Sequence, residues 1–195
     1  MKIYDKLAGS YDSTLAPFEK RFLRNWRKET LLYLPENARL LEIGAGTGAN
    51  FRFYPPSKCA VASEISIKML EIAQRKNDFI KLVQADAENL PFAADSFDAA
   101  FATLVFCSLP NPENAFAELS RTVKPNGRIV LLEHVRPPGL PGYFFDFLNI
   151  FSMALIEDCF NRQTPKIAEK SGLKILEVKE KGFGIFNLIV CENTK

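Results

Sequence analysis

Three carboxylates and three glycines have the types and spacing to hold a nucleotide-like ligand: Glu42, Gly44, Gly46, Gly48, Glu64 and Asp86. In Leu40-Leu41-Glu42-Ile43-Gly44-Ala45-Gly46-Thr47-Gly48-Ala49-Asn50, a short apolar run ends in an acid and then meets glycines at alternate positions. Glycine takes backbone conformations closed to other residues, so a ligand can lie against bare peptide there. The stretch also satisfies the dinucleotide pattern GxGxxA, and Glu64 lies 20 residues beyond Gly44, where an acid would meet a ribose. Glu42 weighs against a dinucleotide, because a carboxylate two residues before the first glycine attracts an amino group and repels a pyrophosphate. Asp86, within Gln84-Ala85-Asp86-Ala87-Glu88-Asn89-Leu90-Pro91-Phe92, adds an acceptor suited to an exocyclic amine.

Alternating strands and helices must position these groups. Strands are predicted at Arg39 to Ile43, Cys59 to Ser63, Ile80 to Val83, Asp98 to Ala102 and Arg128 to Glu133. Helices are predicted at Thr47 to Phe53, at Ser66 to Lys76 with Ser66 as cap, and at Pro112 to Val123 with Asn111 as cap, before the turn Lys124-Pro125-Asn126-Gly127. Such alternation in apolar runs gives a parallel sheet with helices on both faces, and ligands bind beyond its strands' carboxyl ends. Glu42, Glu64, Asp86 and Glu133 all fall at those ends.

Ahead of the sheet, Tyr4-Asp5 and Tyr11-Asp12 form a small echo, too short for a structural repeat. A helix follows from Pro17 to Leu34, with Phe18, Phe22, Trp26 and Thr30 or Tyr33 on one side and Lys20, Arg21, Arg24, Arg27 and Lys28 on the other. A cationic amphipathic helix of this kind can rest on an anionic membrane, and a core-packed helix with a solvated charged face is the favoured reading. After the sheet, Pro137 to Gly142 is a helix-free linker, and Tyr143 to Phe160 an apolar helix covering the substrate end. Thr164 to Ser171 is another helix. Lys174 to Val178 and Ile185 to Cys191 form an antiparallel hairpin.

The 195 residues suit one domain, with 47% hydrophobic and 25% charged residues. Lys plus Arg at 25 against Asp plus Glu at 23 leaves no basic field for a nucleic-acid binder. Cys59, Cys107, Cys159 and Cys191 show no CxxC or Cys/His pairing and read as buried thiols of a reducing cytosol; no metal site is expected. Met1 to Lys6 begins no signal-length apolar stretch, so a cytoplasmic protein is expected, as monomer or homodimer, with peripheral membrane contact left open.

Over essentially its whole length the sequence resembles the class I S-adenosylmethionine-dependent methyltransferases, UbiE-like in type. The resemblance rests on Leu40 to Gly48, the acid Glu64, the stretches 86–92 and 95–101, Leu109 to His134, and the closing Gly172 to Val190. It implies an α/β fold: a seven-stranded, mainly parallel Rossmann-like sheet with an antiparallel last strand. One domain would span 1–195, with a lid and amphipathic helix (1–35), a cofactor core (38–134), a substrate-side cover (135–164) and a closing helix and hairpin (165–195).

Roles follow from the resemblance. Glu42 would take the methionine amino group, directly or through water, and the Gly44 to Gly48 backbone would admit carboxylate and ribose. Glu64 would accept both ribose hydroxyls, Asp86 the adenine amine, and the Ala87 amide a ring nitrogen. Ile65 and Leu90 would wall the adenine, Thr103 and Leu104 would lie beside the sulfonium, and Tyr11 would cover the cofactor. His134, the single histidine, would serve as base toward an acceptor thiol or amine. Tyr4, Asp158, Asn161 and Arg162 would meet the substrate.

The acceptor is expected to be a hydrophobic small molecule or lipid, with a thiol slightly ahead of a phospholipid amine. Residues 48–56, 103–113, 131–135 and 158–164 are similar to the alkyl-thiol methyltransferases. The short length and the ending are similar to bacterial phosphatidylethanolamine N-methyltransferases, and the quinone-ring C-methyltransferases share the general pattern at a greater distance. A non-catalytic nucleotide-binding module and an NAD-dependent oxidoreductase are the alternatives of another class, the second disfavoured because no convincing hydride-transfer apparatus is evident.

Overall fold

Runs without a polar break, such as Ala99-Ala100-Phe101-Ala102, need a strand covered on both faces. In the computed structural model, which describes residues 2–137, 139–140, 142–143, 145–147, 149, 159 and 161–195, they lie at the centre of a seven-stranded sheet. Its strands among the described residues are β1 (Ala38–Ile43), β2 (Ser57–Glu64), β3 (Lys81–Gln84), β4 (Phe97–Thr103), β5 (Val123–His134), β6 (Leu173–Lys181) and β7 (Phe186–Asn193), in spatial order β3-β2-β1-β4-β5-β7-β6. Neighbours from β3 to β5 pair in parallel, and β7 runs antiparallel to both β5 and β6. The expected Rossmann-like sheet with a reversed last strand is therefore present. Strand order reverses between β1 and β4, so a crevice opens beyond their carboxyl ends.

Successive side chains leave the sheet on opposite faces. Leu41, Ile43, Ala100, Ala102, Ile129 and Leu131 pack with Phe106, Phe116 and Leu119 on one side. Leu40, Ala99, Phe101, Val130 and Leu132 pack with Leu31, Leu34 and Trp26 on the other. Phe101, Phe106 and Phe116 are fully buried, each stabilising the fold by roughly 1.5–3 kcal/mol.

The helices are α1 (Lys2–Phe18), α2 (Arg24–Leu31), α3 (Ile67–Gln74), α4 (Pro112–Thr122) and α5 (Thr164–Lys170). Ser66 caps α3 as expected, accepting from the Met69 amide at 3.2 Å. Asn111 holds the cap position of α4 without capping it, because its side-chain amide donates to Glu88 at 3.0 Å. Leu140, Gly142, Tyr143, Phe145 to Phe147 and Asn149 are helical, in keeping with a cover helix that begins slightly earlier than expected. Residues 150–158 and 160, Asp158 among them, lie outside the described residues. Among the described residues no helix is long and apolar enough to cross a membrane.

Two expectations are corrected. Helix begins at Lys2, fifteen residues ahead of Pro17, and α1 passes into α2 through a π-helical turn, Glu19–Leu23. Pro17 has no N–H for the hydrogen-bond ladder, and the wide turn follows directly. The extra residue of that turn sets which side of α2 faces inward. Leu23, Arg27, Thr30, Leu31 and Leu34 are the buried row, so Arg27 belongs to the interior and not to the solvated cationic face. Thr47 to Phe53 is a turn with only a short 3-10 segment, Phe51–Phe53, because Gly48 at φ +80 breaks helical geometry and Tyr54 is already extended before Pro55-Pro56.

Candidate functional site

Beyond β1 the backbone doubles back at Gly44, whose φ is +65. A Cβ there would also come within 2.4 Å of Val105 Cγ2, so glycine is required twice over. The turn forms one wall of a cleft that also takes in Tyr4, Tyr11, Glu64, Asp86 and Thr103. Ile65, Ala87 and Leu104 line it too. Leu90 does not; it is buried in the core beside α4, while the Glu118–Arg121 pair braces its backbone.

Glu64 sits at the end of β2 with one carboxylate oxygen accepting the Gly46 amide and the other the Ser66 amide, each at 2.9 Å. Burial pushes its pKa up, and these backbone bonds offset part of the effect. Each oxygen keeps a lone pair, the arrangement a vicinal diol requires. Asp86 is fixed by accepting the Glu88 amide at 2.9 Å, which leaves its second oxygen for an amine. Among the described residues no group of three His, Cys, Asp or Glu could hold a metal ion, and all four cysteines are free, Cys59 and Cys159 only partly buried.

Glu42 is placed differently from expectation. It is fully buried behind the glycine turn and does not line the cleft. Asn50 Nδ2 and the Tyr54 hydroxyl donate to its two oxygens, each at 2.6 Å. Burial raises its pKa to about 6, against the effect of those bonds and of Arg27. Between Glu42 and the cleft stand Asn50, Thr103 and Arg27. Arg27 Nη1 donates to Thr103 Oγ1 at 2.5 Å and to Asn50 Oδ1 at 3.2 Å, while its Nε pairs with Glu19 at 3.0 Å. A guanidinium therefore reaches the cleft beside Thr103, where a carboxylate would fit. Sequence reading missed Arg27, Asn50 and Tyr54.

The echo in the amino-terminal sequence acquires a meaning here. Positions seven apart share a helix face. Tyr4 and Tyr11 line the cleft, and Asp5 and Asp12 clasp its rim. The Ser66 hydroxyl donates to Asp5 at 2.5 Å and the Thr47 hydroxyl to Asp12 at 2.6 Å, with Lys76 on the other Asp12 oxygen at 2.6 Å. The Ser66 bond lowers the pKa of Asp5; for Asp12, burial acts upward but the Lys76 and Thr47 bonds outweigh it.

At the far end of the cleft, Leu104 holds φ +60, a conformation that an apolar side chain seldom takes. Buried Glu133 maintains it by accepting the amides of Val105 at 3.0 Å and Cys107 at 3.2 Å. The following turn brings Ser108 Oγ within 2.8 Å of the Tyr4 hydroxyl, both groups lining the cleft. Arg162, expected to meet substrate, instead donates to the Phe106 and Leu109 carbonyls at 2.8 Å each and fixes this turn. Asn161 donates to Asp146, which Arg136 grips, so it fastens the cover. His134 is not brought to the cleft: it leaves β5 on the face opposite Glu133, and its ring packs on Phe186 at 5.2 Å and Phe145 at 5.5 Å.

Comparison with known proteins agrees with this geometry. A model of the methyltransferase domain matches residues 41–131. The chain is 30% identical over 173 residues to the demethylmenaquinone methyltransferase of Renibacterium salmoninarum, covering 87% of this chain and 68% of that one. It is 41% identical over 103 residues to the thiol S-methyltransferase TMT1A of Homo sapiens, covering 49% of this chain and 42% of the human one. The quinone-ring enzyme thus matches over more of the chain and the thiol enzyme at higher identity. A solved SAM-dependent methyltransferase of Thermotoga maritima shares the fold, with TM-score 0.77, 24% identity and 99% of each chain covered. With its glycine turn, strand-end acids and reversed last strand, the chain belongs to the class I S-adenosylmethionine-dependent methyltransferases.

Proposed function

We propose that this methyltransferase acts on a lipophilic thiol that meets the cofactor beside Tyr4 and Ser108. S-adenosylmethionine, when bound, supplies an electrophilic methyl group for in-line displacement and leaves as S-adenosylhomocysteine. Glu64 holds the ribose diol, Asp86 the adenine amine, and Arg27 with the Gly44 to Gly48 backbone the methionine carboxylate. Glu42 acts from behind, keeping Asn50 and thereby Thr103 in place.

The observation that carries the thiol reading is the Tyr4–Ser108 hydrogen bond, set in an apolar wall of Leu104, Val105 and Leu109. A hydroxyl of this pair can donate a hydrogen bond to an acceptor anion placed there, once the acceptor's proton has passed to water. A thiol, with a pKa of about 8.5, gives up its proton most readily among uncharged lipophilic acceptors. Its thiolate then attacks the methyl carbon, and the departing sulfur keeps the bonding electron pair. A quinone-ring acceptor is a second reading, favoured by the coverage of the Renibacterium enzyme. A phospholipid amine is a third, favoured by the exposed cations of α2.

Incubation with S-adenosylmethionine and, separately, an alkyl thiol, phosphatidylethanolamine vesicles and a reduced demethylated quinone tests this, with mass spectrometry of each product. A methyl thioether is expected, and Tyr4→Phe should lower its kcat by about 10- to 100-fold with cofactor affinity retained. Methylation of the amine or the ring with none of the thiol would overturn the thiol assignment.

A further inference from the structure

We propose that an aromatic and cationic surface at the carboxyl edge of the sheet docks on an anionic lipid bilayer. The ring of Phe183 is fully exposed at the tip of the β6–β7 hairpin. Its φ is +60, between Gly182 at +54 and Gly184 at +79. Three successive left-handed residues make a tight tip in which glycine or asparagine would be most at ease, and a phenylalanine there gains no packing from the fold. Gly182 is seated on Trp26, since a Cβ at that position would stand 3.2 Å from the indole. Trp26 in turn stacks on Phe22 at 5.7 Å, and Phe22 is 38% exposed. From Trp26 the surface continues through Phe186 to His134 and Phe145.

Cations border this patch. The Arg21 guanidinium lies 4.9 Å over the Phe22 ring, and Lys20, Arg24 and Lys28 are exposed on the same helical segment. The nearest acids, Glu19 and Glu29, are engaged by Arg27, Arg52, Lys179 and Lys181. Lys20, Arg21, Arg24 and Lys28 have no acidic partner among the described residues. A projecting ring and aromatic patch carried with the unpaired cations of the amino-terminal helices complement negative charge above hydrocarbon, the two layers of an anionic bilayer. Because β7 begins alongside the end of β5, the hairpin tip lies at the edge where the cofactor cleft opens. Docking there would present the acceptor entrance to the lipid, and it holds whichever acceptor the enzyme uses.

Flotation of the intact protein with phosphatidylcholine vesicles, with and without about 30% phosphatidylserine, provides the test. Retention is expected on the anionic vesicles at low salt, falling at least tenfold in 0.5 M NaCl. Phe183→Asn, which suits the left-handed turn, should weaken retention about 10-fold, and the triple change Lys20→Glu, Arg21→Glu, Arg24→Glu by roughly 100-fold. Phe79→Asn is the control, since Phe79 is 93% exposed before β3 at the opposite edge, and it should change nothing. Circular dichroism and cofactor calorimetry verify that each variant is folded. No retention on anionic vesicles at low salt, equal retention on neutral ones, or equal losses for Phe183→Asn and Phe79→Asn would overturn the proposal. So would a homodimer that Phe183→Asn dissociates in the absence of any vesicle retention, which would give the surface to a second copy of the chain.

Discussion

Arg27 Nη1 lies 2.5 Å from Thr103 Oγ1, joining the amino-terminal helices to the end of β4 across 76 residues of sequence. The same guanidinium serves Glu19 and Asn50, and its side chain is only 6% exposed. Arg27→Met should destabilise the protein by about 3 kcal/mol, because Glu19 and Thr103 lose a buried charged partner. Arg27→Lys should restore little of this, since an ammonium cannot span three acceptors in the guanidinium's plane. Urea unfolding at pH 7.5 measures both.

Glu64 is expected to dominate cofactor affinity. Glu64→Ala removes a charged acceptor from the ribose and also frees the Gly46 and Ser66 amides. With charge-assisted bonds at roughly 1.5–3 kcal/mol each, S-adenosylmethionine should bind about 100-fold or more weakly by calorimetry.

Glu42 should leave a signature in the pH dependence of stability. Its pKa rises from an ordinary 4.5 to about 6 on folding, so between those values the folded state holds more of the proton than the unfolded chain does. By linkage this group favours the fold below pH 4.5, and that contribution is lost as pH climbs to 6, by ~2 kcal/mol in all. Asp5, Asp12, Asp98 and Glu118, whose pKa values are lowered, act in the opposite sense at lower pH. The difference between wild type and Glu42→Gln isolates the term: the variant should gain relative stability as pH rises from 4.5 to 6 and show a constant difference above about 7.

Gly44 and Val105 should couple. Gly44→Ala combines a left-handed alanine, costing about 1–2 kcal/mol, with a clash against Val105 Cγ2. Val105→Ala deletes the two methyls at 2.4 and 2.9 Å. The double variant should therefore be more stable than the sum of the single losses predicts, by about 1 kcal/mol in a denaturation cycle.

What the sequence disclosed was whatever local signals decide. Apolar runs ending in acids marked the strand ends, and the placement of Glu64 and Asp86 on one cleft wall followed from the sheet order those runs imply. The inward turn of Arg27 was illegible, because it depends on a π-helical turn after Pro17 and on partners supplied by Asn50 and Thr103. Arg162 and His134 carry side chains suited to chemistry, yet a backbone turn and an aromatic cluster claim them. Only the Tyr-Asp echo held a signal that could have been read further: two helical turns separate its members, so a helix there would set both pairs on one face.

Ala8 is the sole buried side chain among the described residues of α1, a helix of 17 residues. That helix is therefore joined to the cleft rim largely by polar clasps, at Ser66, Thr47, Lys76 and Ser108, while its apolar side chains Ile3, Leu15 and Phe18 are only half-buried. Segments fastened this way open at a free energy far below that of global unfolding. Spent nucleoside can then depart and fresh nucleoside enter each cycle by raising one helix, while the sheet that aligns the reaction stays intact.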